Sequence, residues 1–207
     1  MMVKVKICGI TNVRDAVWAA RVGADAVGFV MVRGTPRHIE PEKVRPIVME
    51  LPPFVARVGV FLDEEPETVI EIMDFCGLDY AQLHGHETPA QCARLKDRKV
   101  IKAFRIRSED DLRELEWYRV DAYLLDTRVE GRAGGTGQSF DWSIARAART
   151  RGQIILAGGL RPDNVAEAVV AARPYGVDVA SGVEEAPGKK SRELVEAFIR
   201  NAKSVDL

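Results

Sequence analysis

Two interleaved series of strand-like runs constrain this chain more than any single motif does. In one series an Asp leads each run: Asp25-Ala-Val-Gly-Phe-Val, Asp79-Tyr-Ala-Gln-Leu, Asp121-Ala-Tyr-Leu-Leu and Asp178-Val-Ala-Ser, with aspartates 54, 42 and 57 residues apart. In the other, Lys4-Val-Lys-Ile-Cys, Arg57-Val-Gly-Val-Phe, Val100-Ile-Lys-Ala-Phe and Gln153-Ile-Ile-Leu-Ala start 53, 43 and 53 residues apart. Four plus four predict eight strands in 207 residues, one about every 26.

Helical periodicity fills the gaps. Val13, Ala16, Val17 and Ala20 follow i, i+3, i+4, i+7, with Asn12 placed to cap the start and Gly23 to stop the end. The same spacing recurs at Val44, Ile47, Val48 and Leu51, and at Val69, Ile72, Met73 and Cys76. Pro41, Pro66, Pro89 and Pro162 stand near helix starts, where a missing N–H costs nothing. Ser108 with Asp111 reads as a capping box, and Ser191 as the cap before Leu194, Val195, Phe198, Ile199 and Ala202. Pro46, inside the second helix, predicts a kink or a late start. Strands alternating with helices pair in parallel through right-handed crossovers. The closed solution is a (β/α)8 barrel, a TIM barrel, expected as one domain over residues 1–207 with no linker. An open doubly wound sheet is the rival, but it seldom needs eight strands in so short a chain.

Composition removes several classes of function. The 46% hydrophobic content is enough for a packed core, and the longest apolar stretch, Ala26–Val32, is far short of the ~20 residues a membrane span needs. The start, Met-Met-Val-Lys-Val-Lys, carries no apolar signal segment, so a cytoplasmic address is expected. A net charge of -1, with both signs mixed along the chain, leaves no nucleic-acid footprint. Three scattered cysteines and three histidines, without Cys-x-x-Cys, offer neither a disulfide framework nor a structural zinc site. Monomer and homodimer both remain open.

In such a barrel the chemistry belongs to the C-terminal strand ends and the loops after them. Cys8-Gly9 ends the first strand and faces the mouth, though a small buried hydrophobe is the plain alternative. Cys76 and Cys92 lie on helix faces, as core. Arg33-Gly-Thr-Pro-Arg37 suits a loop that clamps an anion, against the alternative of solvated arginines. His84, at the end of the fourth strand, can polarise or position a substrate; with His86 and Glu87 it raises the thought of a metal, but no third ligand signature follows. Asp126 closes an apolar strand in a half-desolvated setting, which suits a carboxyl for donating a proton. The run Gly131-Arg-Ala-Gly-Gly135-Thr-Gly137 reads as a lid or phosphate cradle. Gly158 and Gly159 after the seventh strand, with Ser181 and Gly182 after the eighth, match the phosphate site this architecture builds there. A phosphorylated small molecule is the expected substrate.

These pieces, in order, resemble the phosphoribosylanthranilate isomerase family over nearly the whole chain. The resemblance rests on Lys6-Ile-Cys8-Gly-Ile-Thr, Thr35-Pro-Arg37, Val58-Gly-Val-Phe61, Gln82-Leu-His84-Gly, Leu124-Leu-Asp126, Gly134-Gly-Thr-Gly137 with Phe140-Asp-Trp142, Gly158-Gly-Leu160 and Ser181-Gly-Val-Glu184. Thr35 stands where the family usually has Ser, and Ala180 where Ser or Asn is common. The resemblance implies an Amadori rearrangement with Asp126 as general acid, Cys8 as general base and Arg37 on the anthranilate carboxylate. The glycines hold lid and phosphate, and neither metal nor organic cofactor is needed, since the substrate's own nitrogen is the electron sink. Rival readings are the histidine-pathway isomerase, expected to end its first strand in Asp rather than Cys8; a pentose-phosphate epimerase, which needs more metal-ligating His; and a noncatalytic phospholigand-binding barrel, which needs neither Cys8 nor Asp126.

Overall fold

Eight parallel strands close a ring in chain order. The computed structural model describes residues 2–95, 97–126 and 142–206. The strands are β1 (Lys4–Cys8), β2 (Ala26–Val30), β3 (Ala56–Phe61), β4 (Tyr80–Leu83), β5 (Lys99–Arg105), β6 (Ala122–Asp126), β7 (Ile154–Ala157) and β8 (Gly176–Val179). Around them run α1 (Val13–Arg21), α2 (Pro41–Met49), α3 (Pro66–Cys76), α4 (Pro89–Arg94), α5 (Trp142–Ala147), α6 (Val165–Ala172) and α7 (Arg192–Lys203). The expected (β/α)8 barrel is the observed fold. The ring shuts where β8 meets β1, with Lys4 opposite Gly176, Val5 opposite Val177, Lys6 opposite Asp178 and Ile7 opposite Val179.

The predicted caps are in place. Asn12 accepts from the Asp15 N–H at 2.9 Å, Ser191 accepts from Leu194 N–H at 3.3 Å, and the Asp111 carboxylate accepts from Ser108 N–H at 2.9 Å. Two details differ from expectation. The second helix does not start late: it begins at Pro41 and runs through an exposed Pro46. The segment between β5 and β6, Glu109–Trp117, is a 3₁₀ helix. Its buried apolar residues, Leu112 and Leu115, are spaced by three with no partner at i+4, the period a 3₁₀ helix eclipses.

Three of the four aspartates of the repeat share one task at the N-terminal foot of the barrel. Asp25, Asp79 and Asp121 each precede an even strand and lean on the odd strand before it. Their carboxylates accept from the N–H of Val5, Arg57 and Val100 at 2.9, 2.8 and 2.8 Å, while their own N–H groups donate to the same residues' carbonyls. Each charge-assisted pair fixes strand register without help from the helices. Asp178 breaks the pattern: it lies within β8, not before it.

Strand alternation sorts the core into two layers. Val5, Ile7, Val27, Phe29, Ala81, Leu83, Val177 and Val179 point outward and pack under the helices. Val58, Ile101, Ala103, Ala122, Leu124, Ile155 and Ala157 form the inner plug. That plug draws on β3, β5, β6 and β7; toward β8 and β1 the interior holds Asp178 and Lys6 instead. No helix of the described residues is long and apolar enough to cross a membrane.

Candidate functional site

The inward positions at the strands' C-terminal ends bring Cys8, His84 and Asp126 to one mouth. Cys8 is the last residue of β1, 6% exposed, paired in register with Gly28 of β2. Gly9 follows it at φ +75°, and a Cβ there would stand 2.6 Å from Arg37 Cδ, so the bare glycine gives the Arg37 stem its path across the strand end.

Arg37 is already gripped. Its Nε and Nη2 donate to the two Glu184 oxygens at 2.9 and 2.6 Å, a bidentate fork. Glu184 arrives on a short antiparallel ribbon that follows β8, β9 (Glu184–Ala186) with β10 (Lys189–Lys190). Lys190 completes the cluster, donating to Glu184 Oε1 at 2.9 Å and to the Ala180 carbonyl at 3.0 Å. Burial pushes the Glu184 carboxyl up, but hydrogen bonds from Arg37 and Lys190 more than reverse that and hold it below the ordinary glutamate value. Burial lowers Lys190, and Glu184 recovers only part of the loss.

Burial likewise dominates at Cys8 and raises its thiol; Lys6 and Lys190 pull it down, Asp178 pushes it up, and the thiol stays above the ordinary cysteine value. Cations stand beside the sulfur, but desolvation outweighs them.

Across the mouth, His84 Nε2 lies 3.7 Å from Asp126 Oδ2, and Gln82 Nε2 lies 2.9 Å from His84 Nδ1. That contact sets Gln82 against one ring nitrogen and leaves the other, Nε2, turned toward Asp126. The other two residues of the suspected metal group go elsewhere. His86 is exposed against Asp63, and Glu87 is buried, 3.1 Å from Lys102 Nζ, accepting from Asp63 and Gly85 N–H groups at 2.9 and 3.0 Å. The three do not converge on one point.

Gly158 and Gly159 turn the loop after β7 at φ +89° and +67°. Ser181 opens a short 3₁₀ helix, Ser181–Val183, after β8. Gly182 passes so close to the Leu160 carbonyl that any side chain would overlap it, which joins the two loops. Gly135 and Gly137 lie outside the described residues. Sequence reasoning missed Lys6, Asp178, Glu184 and Lys190. Alternation in β1 and β8 could have placed the first two inside; nothing local signals that the ribbon folds back over the mouth.

Comparison with known proteins follows from this geometry. Residues 5–201 match the family model for N-(5'phosphoribosyl)anthranilate (PRA) isomerase. The N-(5'-phosphoribosyl)anthranilate isomerase of Geobacter sp. (strain M21) is 53% identical over 204 residues, covering 99% of this chain and 100% of the relative. The crystal structure of the Thermotoga maritima phosphoribosyl anthranilate isomerase superposes with a TM-score of 0.91 at 46% identity, covering 99% of this chain and 100% of that one. A solved complex of a phosphoribosyl anthranilate isomerase with reduced 1-(o-carboxyphenylamino)-1-deoxyribulose 5-phosphate gives 0.88 at 44% identity, over 99% and 100%. A structure of monomers generated from the dimeric Thermotoga maritima enzyme gives 0.87 at 42%, over 99% and 100%.

Proposed function

Because the chain belongs to the N-(5'-phosphoribosyl)anthranilate isomerase family and catalyses that family's aldose–ketose rearrangement in tryptophan biosynthesis, we propose that Asp126 and Cys8 divide its two proton transfers. Asp126 gives a proton to the furanose ring oxygen. The ring C–O bond breaks as the nitrogen lone pair forms an iminium. Cys8 then takes the C2′ proton, and the C–H electrons flow into the iminium to give an enolamine, which tautomerises to the aminoketone. Neither step needs a cofactor, since the substrate nitrogen accepts the electrons.

One observation carries this reading. Cys8 and Asp126 end strands three steps apart around the ring, so they reach one substrate from different sides. Burial holds the thiol above its ordinary value, and the iminium brings a positive charge into the mouth beside Lys6 and Lys190. The sulfur ionises most readily when the acidic C–H appears. His84, with Nε2 turned toward Asp126, holds the acid in place, and Gly158, Gly159, Ser181 and Gly182 receive the phosphate with Gly135 and Gly137. The test is turnover of freshly made phosphoribosylanthranilate, followed by loss of its anthranilate-type fluorescence; absence of turnover with intact folding overturns the reading.

Arg37 is the carboxylate clamp, working as one unit with Glu184, which grips two of its guanidinium nitrogens. Arg37→Ala is expected to weaken binding of a product analogue roughly 10- to 100-fold, the worth of hydrogen bonds to a charged group. An analogue without the aromatic carboxylate should bind as before. Equal losses for both analogues would assign Arg37 another task.

Residues 1–207 act as one barrel domain of a cytoplasmic enzyme, and the working form is a homodimer. At the foot of the barrel Phe54 is 97% exposed beside a cavity of about 390 Å³ lined by Tyr80, Ile101, Ile155 and Tyr175. A protruding aromatic and an open cavity on one face are the two halves of a self-complementary, two-fold contact. A second copy is the occupant, a reading supported by a Thermotoga maritima relative that is itself dimeric. Phe54→Glu should give a monomer in sedimentation equilibrium while turnover persists; a dimer unaffected by the change, or a monomeric wild type, would refute this contact.

A further inference from the structure

An ion pair sits inside the barrel beside Cys8, and the proton transfers above leave it without a task. Lys6 Nζ donates to Asp178 Oδ1 at 2.8 Å, with side chains only 5% and 10% exposed. Such a pair is weak evidence of stabilisation, because desolvation offsets its attraction and apolar replacements are often as stable. On β3, β5, β6 and β7 the plug is made by Val58, Ile101, Ala103, Ala122, Leu124, Ile155 and Ala157. Lys6 and Asp178 stand instead on the strand that carries Cys8 and on its neighbour.

Gly28 shows why they are there. It stands opposite Cys8 in register, and its φ is not among the left-handed ones, so its backbone does not demand glycine. Its side-chain space does. A Cβ at Gly28 would lie 2.8 Å from Cys8 Sγ and 3.1 Å from both Cε and Nζ of Lys6. The missing side chain is the notch in which ammonium and sulfur meet, while the ammonium donates its hydrogen bond to Asp178.

We propose that Lys6, anchored by Asp178 and admitted by the notch at Gly28, is the positioning residue for Cys8: its ammonium orients the sulfur and stabilises it as thiolate. This rests on the reading of Cys8 as the base. The groups facing the sulfur are Lys6 from β1, Asp178 from β8, Lys190 from β10 and Arg37 from the loop after β2. Arg37 and Lys190 are committed to Glu184. Burial works against the Lys6 charge, but Asp178 and then Cys8 more than restore it, so Lys6 remains a cation above the ordinary lysine value. Burial leaves Lys190 below that value.

The test follows the thiol directly. Thiolate ultraviolet absorbance is titrated and the Cys8→Ser trace subtracted; Cys76 and Cys92, both pushed up to about 11 by burial, cancel. Lys6→Met/Asp178→Asn removes both charges together, so neither is stranded, and Gly28→Ala keeps both but drives sulfur and ammonium apart. Each variant is expected to titrate at least one pH unit higher, with kcat/KM at neutral pH falling about tenfold or more, the equivalent of that unit. Far-ultraviolet circular dichroism and the melting curve confirm that the variant compared is folded; should the double variant not fold, Gly28→Ala decides alone. An unmoved titration in a folded variant overturns the proposal. A titration that moves while the rate profile stays put upholds the pairing of Lys6 with the sulfur and removes Cys8 as the base instead.

Discussion

Cys8→Ser is expected to lower kcat by roughly 10²-fold or more, the scale of general acid–base catalysis, with inhibitor affinity and melting temperature nearly unchanged. Serine keeps the size and leaves the hydrogen bond from Lys6 to Asp178 untouched, so the barrel interior keeps its ion pair. What it loses is a group able to ionise. The wild-type pH profile carries the same signature. Burial holds the thiol above the ordinary cysteine value, so the thiolate that accepts the C2′ proton grows as pH rises. The base-dependent limb of kcat/KM therefore climbs above neutrality and levels off past the thiol's own titration. In Cys8→Ser that limb should be gone. Near-wild-type turnover would end the assignment, and a large loss of stability would return Cys8 to an ordinary core cysteine.

Asp126→Asn should cost a similar factor by a different route. The amide keeps the shape and the 25% exposed position of the side chain, opposite His84, but has no proton to give the ring oxygen. Binding should hold while ring opening stalls. A substrate analogue already in the open-chain form separates the two residues: it bypasses the acid and still requires the base. Rescue of Asp126→Asn but not of Cys8→Ser by such an analogue is the expected pattern, and failure of both would place Asp126 elsewhere in the reaction.

The barrel was legible because its strands recur at a nearly fixed interval and their alternation is clean. Cys8 and Asp126 were legible at the mouth because each ends its strand in step with the inward positions, opposite to Val5 and Ile7 in β1 and to Tyr123 and Leu125 in β6. The Asp series was read correctly three times out of four, and the exception is instructive. Asp25, Asp79 and Asp121 punctuate strand starts and bind backbone, whereas Asp178 is two residues inside its strand. Interval arithmetic cannot tell these apart; the alternation Gly176-Val-Asp-Val179 can, since its valines face the helices and so turn Asp178 inward. Glu184 was quoted only as part of a motif, and Lys190 carried no signal. Their partners, Arg37 and the Ala180 carbonyl, are met through a ribbon whose pairing no local period encodes.

The closing seam has a consequence for how the chain is made. Lys6 and Asp178 are 172 residues apart, so β1 emerges from the ribosome long before β8 exists to cover it. Until then β1 waits with one edge unpaired, the kind of edge that recruits strands from other chains. A lysine aimed inward from that edge makes any foreign strand bury an unmatched charge, whereas β8 arrives carrying the carboxylate that neutralises it. The seam thus favours the chain's own last strand over a foreign one, since β8 brings the matching carboxylate with it.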